Sequence, residues 1–136
     1  MTTRRSLLSL ALAAALPPAF VRHAGASESD RFALGVASGW PQPGGVSLWT
    51  RLVGADLPDA VDVRWEMAQD ESFCDIAARG IAVARSRWAH SVHVDATGLA
   101  PGRWYWYRFA ALGARSMAGR TRLLDSRRRC LCLQHR

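Results

Sequence analysis

The strongest constraint on this chain is a hydrophobic period of two. Val61-Asp62-Val63-Arg64-Trp65-Glu66-Met67 alternates without a break, placing Val61, Val63, Trp65 and Met67 on one side and charges on the other. A helix scatters those four side chains around its axis, whereas a strand collects them on one face. Val46, Leu48, Thr50 and Leu52 share a face in the preceding segment, and Phe32, Leu34 and Val36 do so in the first. Later, Ile81 and Val83 alternate with Ala, and Val92 and Val94 alternate with Ser91, His93 and Asp95. In Arg103–Ala110 the aromatic set Tyr105, Tyr107 and Phe109 opposes Trp104, Trp106 and Arg108. Turn chemistry separates the runs at Pro41–Gly45, Gly54–Asp59 and Ala100-Pro101-Gly102. No segment carries a long amphipathic helix pattern, and Gln69–Ala78 reads as one short irregular turn. Strand-sized runs with a turn every 8–12 residues predict an all-β sandwich of about 90 residues.

Leu99-Ala100-Pro101-Gly102-Arg103-Trp104-Tyr105 sharpens that expectation. Leu99, Pro101 and Tyr105 resemble the Leu-x-Pro-x-x-x-Tyr pattern of immunoglobulin/fibronectin type III-like domains, where the tyrosine hydroxyl bonds back to the upstream backbone. Tyr105 is therefore expected to form a tyrosine corner at the start of the penultimate strand.

The two ends of the chain read differently. Residues 1–26 carry Arg4 and Arg5, an apolar stretch at Leu7–Leu16, and the small residues Ala24 and Ala26 at a cleavage-like site. The stretch of about ten residues is too short to span a bilayer. Thr3-Arg4-Arg5-Ser6-Leu7-Leu8 resembles the twin-arginine motif, so this segment is expected to be a cleavable signal that engages the export machinery. Export implies a periplasmic or extracellular destination. No apolar run long enough for an ordinary membrane span follows it. Residues 123–136 form an Arg- and Cys-rich tail without alternation, which reads as a frameshifted or truncated frame or as a genuine end.

The ends also explain the charge. The chain has 18 basic residues, all Arg, against 11 acidic ones, for a formal charge of +7. Residues 1–26 and 123–136 each hold +3, leaving 27–122 with 11 Arg and 10 Asp or Glu, a net +1. A basic nucleic-acid groove is therefore not expected.

Few side chains point to chemistry. His90 and His93 stand three apart on a predicted strand, hence on opposite faces, and cannot share a metal. Asp70, Glu71 and Asp75 lack the spacing of a calcium loop and read as a solvated turn. Cys74 reads as a packed thiol. No nucleophile or phosphate-loop motif is present. Of the six Trp, Trp65 falls on a core face, while Trp49, Trp104 and Trp106 oppose the apolar sets of their strands. Outward aromatics can stack on sugars, receive another domain, or lie under flanking loops. Trp49, Trp104 and Trp106 are taken as a candidate domain-docking face.

Phe32–Gly39 followed by Pro41, Val46–Leu52, Val63–Glu66, His90–Val94, Gly98–Gly102, Tyr105–Phe109 and Gly119–Arg122 form an ordered series of blocks. Through them the chain resembles, over about residues 32–122, the N-terminal domain of the alkaline phosphatase D family. It implies an exported phosphomonoesterase or phosphodiesterase that uses iron and calcium, held in a metallophosphoesterase domain C-terminal to the sandwich. In the family, a Ser-Cys-Gln segment supplies an iron ligand. Here the sequence departs after Arg122, and Cys132-Leu133-Gln134 is only a faint echo. No catalytic or metal-binding residue is carried over, no cofactor is expected in this chain, and the chain alone is expected to be inactive. The alternative is a free-standing secreted module binding glycan or protein.

Overall fold

The alternating segments form eight strands in a computed structural model that describes residues 31–125. They are β1 (Val36–Gln42), β2 (Gly45–Arg51), β3 (Ala60–Ala68), β4 (Ile76–Arg85), β5 (Ser91–Thr97), β6 (Trp104–Ala111), β7 (Ala114–Arg115) and β8 (Gly119–Arg122). A three-stranded sheet has the order β1-β2-β5. A five-stranded sheet has the order β4-β3-β6-β7, with β8 also paired to β6. All pairings are antiparallel. The chain crosses between sheets after β2, β4 and β5, the topology of an immunoglobulin/fibronectin type III-like β-sandwich. The proposed signal, residues 1–26, and residues 126–136 lie outside the described residues.

The inner faces of both sheets make the core, as the period of two requires. Leu48, Val63, Met67 and Phe109 are fully buried, with Val46, Val61, Val92, Val94, Tyr105 and Tyr107 around them. β7 and β8 occupy one side of β6 in succession, and Ser116 bridges the gap between them. Its N–H donates to the Phe109 carbonyl at 2.9 Å, and its hydroxyl accepts from the Phe109 N–H at 2.9 Å. The hydroxyl replaces a ladder carbonyl where the strand is interrupted, so Phe109 loses no partner.

The tyrosine corner forms as its pattern predicts. The Tyr105 hydroxyl accepts from the Ala100 N–H at 3.0 Å while its ring is buried beneath the turn.

Three expectations are corrected. The first segment does not hold Phe32, Leu34 and Val36 on one face. Gly35 at φ +74 closes a turn in which its N–H donates to the Phe32 carbonyl, so Phe32 is buried and Leu34 faces solvent. β4 begins at Ile76, within the stretch read as a turn, and directs its small residues inward. Ala84, Ala82, Gly80 and Ala78 oppose Val61, Val63, Trp65 and Met67, which puts Ile81 and Val83 on the outside. Packing sets that register: a Cβ on Gly80 would lie 2.8 Å from Trp65 Nε1, so the indole requires a glycine beneath it. Finally, the sandwich continues past Arg122. Leu123 is 2% exposed in the core, its N–H donates to the Arg103 carbonyl at 3.1 Å, and the Gly102 N–H donates to the Leu124 carbonyl.

Candidate docking face

The outer face of the five-stranded sheet gathers side chains that are distant in sequence. On β6 it receives Trp104, Trp106, Arg108 and Ala110, the side opposite the buried Tyr105, Tyr107 and Phe109. Strand pairing sets Arg122 beside Trp104 and Arg120 beside Trp106. The Arg120 guanidinium lies 4.0 Å from the Trp104 ring and 5.2 Å from the Trp106 ring, and that of Arg122 lies 5.8 Å from Trp104. Further along, Arg108 donates from Nε to Glu66 at 2.9 Å, forms an ion pair with it through Nη2 at 2.7 Å, and stacks 3.9 Å over Phe73. The result is a ladder in two parts, Arg120 and Arg122 over Trp104 and Trp106, and Arg108 over Phe73. Each exposed stack of this kind is worth about 0.5–1 kcal/mol.

Phe73 reaches Arg108 because its turn is fixed by Asp70. That carboxylate accepts from the Ser72 hydroxyl, from the Asp75 N–H at 2.7 Å and from the Cys74 N–H at 3.1 Å. These bonds, the serine's foremost, hold Asp70 at a pKa of about 2 against an ordinary 3.8. Phe73 itself takes a left-handed φ of 58° at this turn. Asp56 is similarly held at about 2, first by its hydrogen bond from Arg31. That pair has contacts of 2.7 and 2.9 Å and ties the segment before β1 to the β2–β3 loop.

Charge is distributed unevenly over the molecule. Arg64, Arg79, Arg85, Arg108, Arg115, Arg120 and Arg122 all project from the outer face of the five-stranded sheet, against Asp62 and Glu66. Seven arginines and two acids leave that face at +5, although the whole domain is nearly neutral. The outer face of the three-stranded sheet carries Arg51 and Asp95 and is neutral. A net charge summed along the sequence concealed this segregation. Two shallow depressions of about 360 and 320 Å³ lie on the basic face, the first bordered by Asp62, Arg64 and Arg115, the second by Glu66, Arg79 and Ile81.

The three tryptophans singled out from sequence do not form one surface. Trp104, 46% exposed, and Trp106 are neighbours on the five-stranded sheet. Trp49 is half-buried on the outside of the other sheet, between Ala37 and His93. Alternation shows that a side chain points outward but not from which sheet, so Trp49 could not be separated from the other two. Sequence reasoning also missed Arg120, Arg122 and Phe73, which only strand register brings to the tryptophans. Trp40 is 79% exposed at a left-handed φ of 50° and borders a depression of about 200 Å³ with Ser47 and Asp95.

Among the described residues the donors do not fit an iron or calcium site. Nε2 of His90 is bonded to the Pro58 carbonyl at 2.8 Å, and His93 projects from the outer face of β5. Cys74 is exposed rather than packed, and Asp70 is engaged by its own turn. Among the described residues no three His, Cys, Asp or Glu side chains come together.

The fold and its tyrosine corner define a fibronectin type III-like module, and comparison places that module in a family. The family model of the PhoD-like phosphatase N-terminal domain matches residues 16–125. Alkaline phosphatase D of Bacillus subtilis (strain 168) is 46% identical over 101 residues, covering 70% of this chain and 17% of that protein. The chain belongs to the PhoD-like phosphatase family and represents its N-terminal domain. A solved structure of PhoD superposes with a TM-score of 0.69 at 44% identity, covering 72% of this chain and 20% of that one. The chain thus spans about a fifth of the length of these relatives. The sensor domain of the anti-sigma factor RsgI4 from Pseudobacteroides cellulosolvens shares the fold alone, with a TM-score of 0.50 at 7% identity over 67% of this chain and 92% of that one.

Proposed function

We propose that this domain is the non-catalytic N-terminal module of an exported alkaline phosphatase D-like phosphoester hydrolase. Its role is to dock against a C-terminal metallophosphoesterase domain, which supplies the iron and calcium chemistry of the family. The signal at residues 1–26, with its Arg4-Arg5 pair, directs the protein to the periplasm or the exterior. The observation that carries the reading is the 46% identity to the N-terminal part of a phosphatase named as such. Two of the candidate side chains support it, because Asp70 is committed to holding its own turn and His90 to the Pro58 carbonyl. Phosphoester hydrolysis by metals requires several ligands converging on one point, and the donors of this sandwich diverge.

The purified chain should be assayed with p-nitrophenyl phosphate and bis-p-nitrophenyl phosphate, with iron and calcium added. The expected result is no turnover above buffer. Turnover that co-purifies with the chain and disappears with EDTA would refute the non-catalytic assignment.

A further inference from the structure

We propose that the outer face of the five-stranded sheet docks an acidic protein surface, with Arg120 and Arg122 gripping its carboxylates. This deepens the docking reading above and rests on it.

Charge segregation is the first support. The basic face carries +5, and among the described residues Arg120 and Arg122 form no ion pair. A surface that concentrates like charge raises its own free energy by self-repulsion, and an opposing acidic surface relieves that cost. Arg122 donates from Nε to the Gly102 carbonyl at 3.2 Å, just as Arg51 on the other sheet donates to the Ala89 carbonyl at 2.9 Å. The two sheets therefore differ in net charge: on the other sheet Arg51 is balanced by Asp95, which accepts from the Ser47 hydroxyl at 2.5 Å.

Pre-organisation is the second support. A guanidinium stacked on an aromatic ring keeps its N–H edge free, because donors lie in the plane while the stack uses the face. Arg120, held against Trp104 and Trp106, has lost rotamer freedom before any partner arrives. Its edge can then meet a carboxylate in the two-pronged manner arginine favours.

The surface chemistry selects a protein as the occupant. Ile81 and Val83 are exposed on the same face as the arginines, and Trp104 is nearly half exposed. Aromatic, aliphatic and arginine side chains interleaved on a flat sheet resemble the anchors of protein interfaces. A phosphate polymer would meet the arginines but leave the aliphatic groups without partners.

The test pairs this chain with Bacillus subtilis alkaline phosphatase D lacking the 101 matched residues, using that protein's own N-terminal region as the positive control. Binding is expected to weaken about ten-fold or more with Arg120→Glu/Arg122→Glu. It should also weaken as salt rises from about 0.05 to about 0.5 M, and be unchanged by Arg51→Glu. Binding that ignores both charge reversal and salt overturns the acidic seam while leaving the docking reading intact. Absence of binding where the control binds overturns both. A second measurement needs no relative: NMR titration of the chain with a glutamate-rich peptide. The Arg120 Nε–Hε and the Trp104 and Trp106 indole resonances should move while Trp49 stays still. Shifts spread over both sheets, or tighter binding of polyphosphate to this face, overturn the proposal.

Discussion

The two sides of the five-stranded sheet use aromatic rings for different ends. On β6, Tyr105, Tyr107 and Phe109 point inward and are buried, while Trp104, Trp106 and Arg108 point outward into the guanidinium ladder. The inner set is held by close packing, in which every ring displaces water and touches neighbours on all sides. The outer set is held by stacking and charge, which solvent weakens. One strand therefore separates stability from recognition residue by residue, and substitutions on its two sides should differ in kind.

Phe109→Ala gives the largest expected effect. Phe109 is fully buried and backed by the Ser116 bridge, so truncation removes a ring and leaves a cavity. The cost is about 3–5 kcal/mol, enough to unfold much of a domain this size, as urea denaturation should show. Gly119→Ala ranks next. Its Cβ would fall 2.3 Å from Cζ of the Tyr107 ring, which has no free space to retreat into. A loss of about 1–3 kcal/mol is expected, and it should shrink when Tyr107→Leu is added. Tyr105→Phe keeps the packed ring and removes the hydroxyl, which accepts from the Ala100 N–H at 3.0 Å and donates to the Ala100 carbonyl at 3.4 Å. That change should cost about 0.5–1.5 kcal/mol.

Outward substitutions sharpen the contrast. Arg120→Glu should alter stability by no more than about 0.5–1 kcal/mol, the scale of an exposed stack, while reversing charge at the centre of the ladder. A loss as large as that of Phe109→Ala would show that the ladder is part of the fold's support and would erase the distinction between the two sides.

How much of this was legible in sequence follows from what a period reveals. Alternation in Val61–Met67 and Trp104–Phe109 exposed strand identity and the inner set, since burial on one side imposes a pattern on neighbours two apart. The Leu99, Pro101 and Tyr105 pattern exposed the corner because its bond spans only five residues. β4 misled because its inward residues are alanines and a glycine, so its most hydrophobic residues, Ile81 and Val83, lie on the outside. The reason is Trp65, whose ring fills the volume that Gly80 leaves open. The docking face was half legible. Trp104 and Trp106 could be read as outward, but Arg120, Arg122 and Phe73 join them through register, which depends on pairings between distant segments. The charge of the face was hidden for the same reason.

The smallest predicted effect concerns the turn that supports the outer ladder. Asp70 has its pKa lowered from 3.8 to about 2 by bonds that require its carboxylate form. A group with a depressed folded-state value stabilises the fold above its ordinary pKa and loses that contribution as pH falls toward the depressed one. Stability from Asp70 is thus complete above about pH 4 and fades between there and about pH 2, with Asp56 fading over the same window. What Asp70 holds is local: the Ser72, Cys74 and Asp75 bonds that present Phe73 to Arg108. Acidification should therefore release the Phe73 ring from Arg108 before the core yields. Asp70→Asn, which has one accepting oxygen in place of two, should loosen the same contact at neutral pH. NMR of the Phe73 ring and the Arg108 Nε–Hε group would follow this, with Phe109 ring signals reporting the core. Simultaneous loss of both sets would mean that the outer ladder has no order of its own. Loss of the Phe73 contact first would establish that the two sides of the sheet come apart separately.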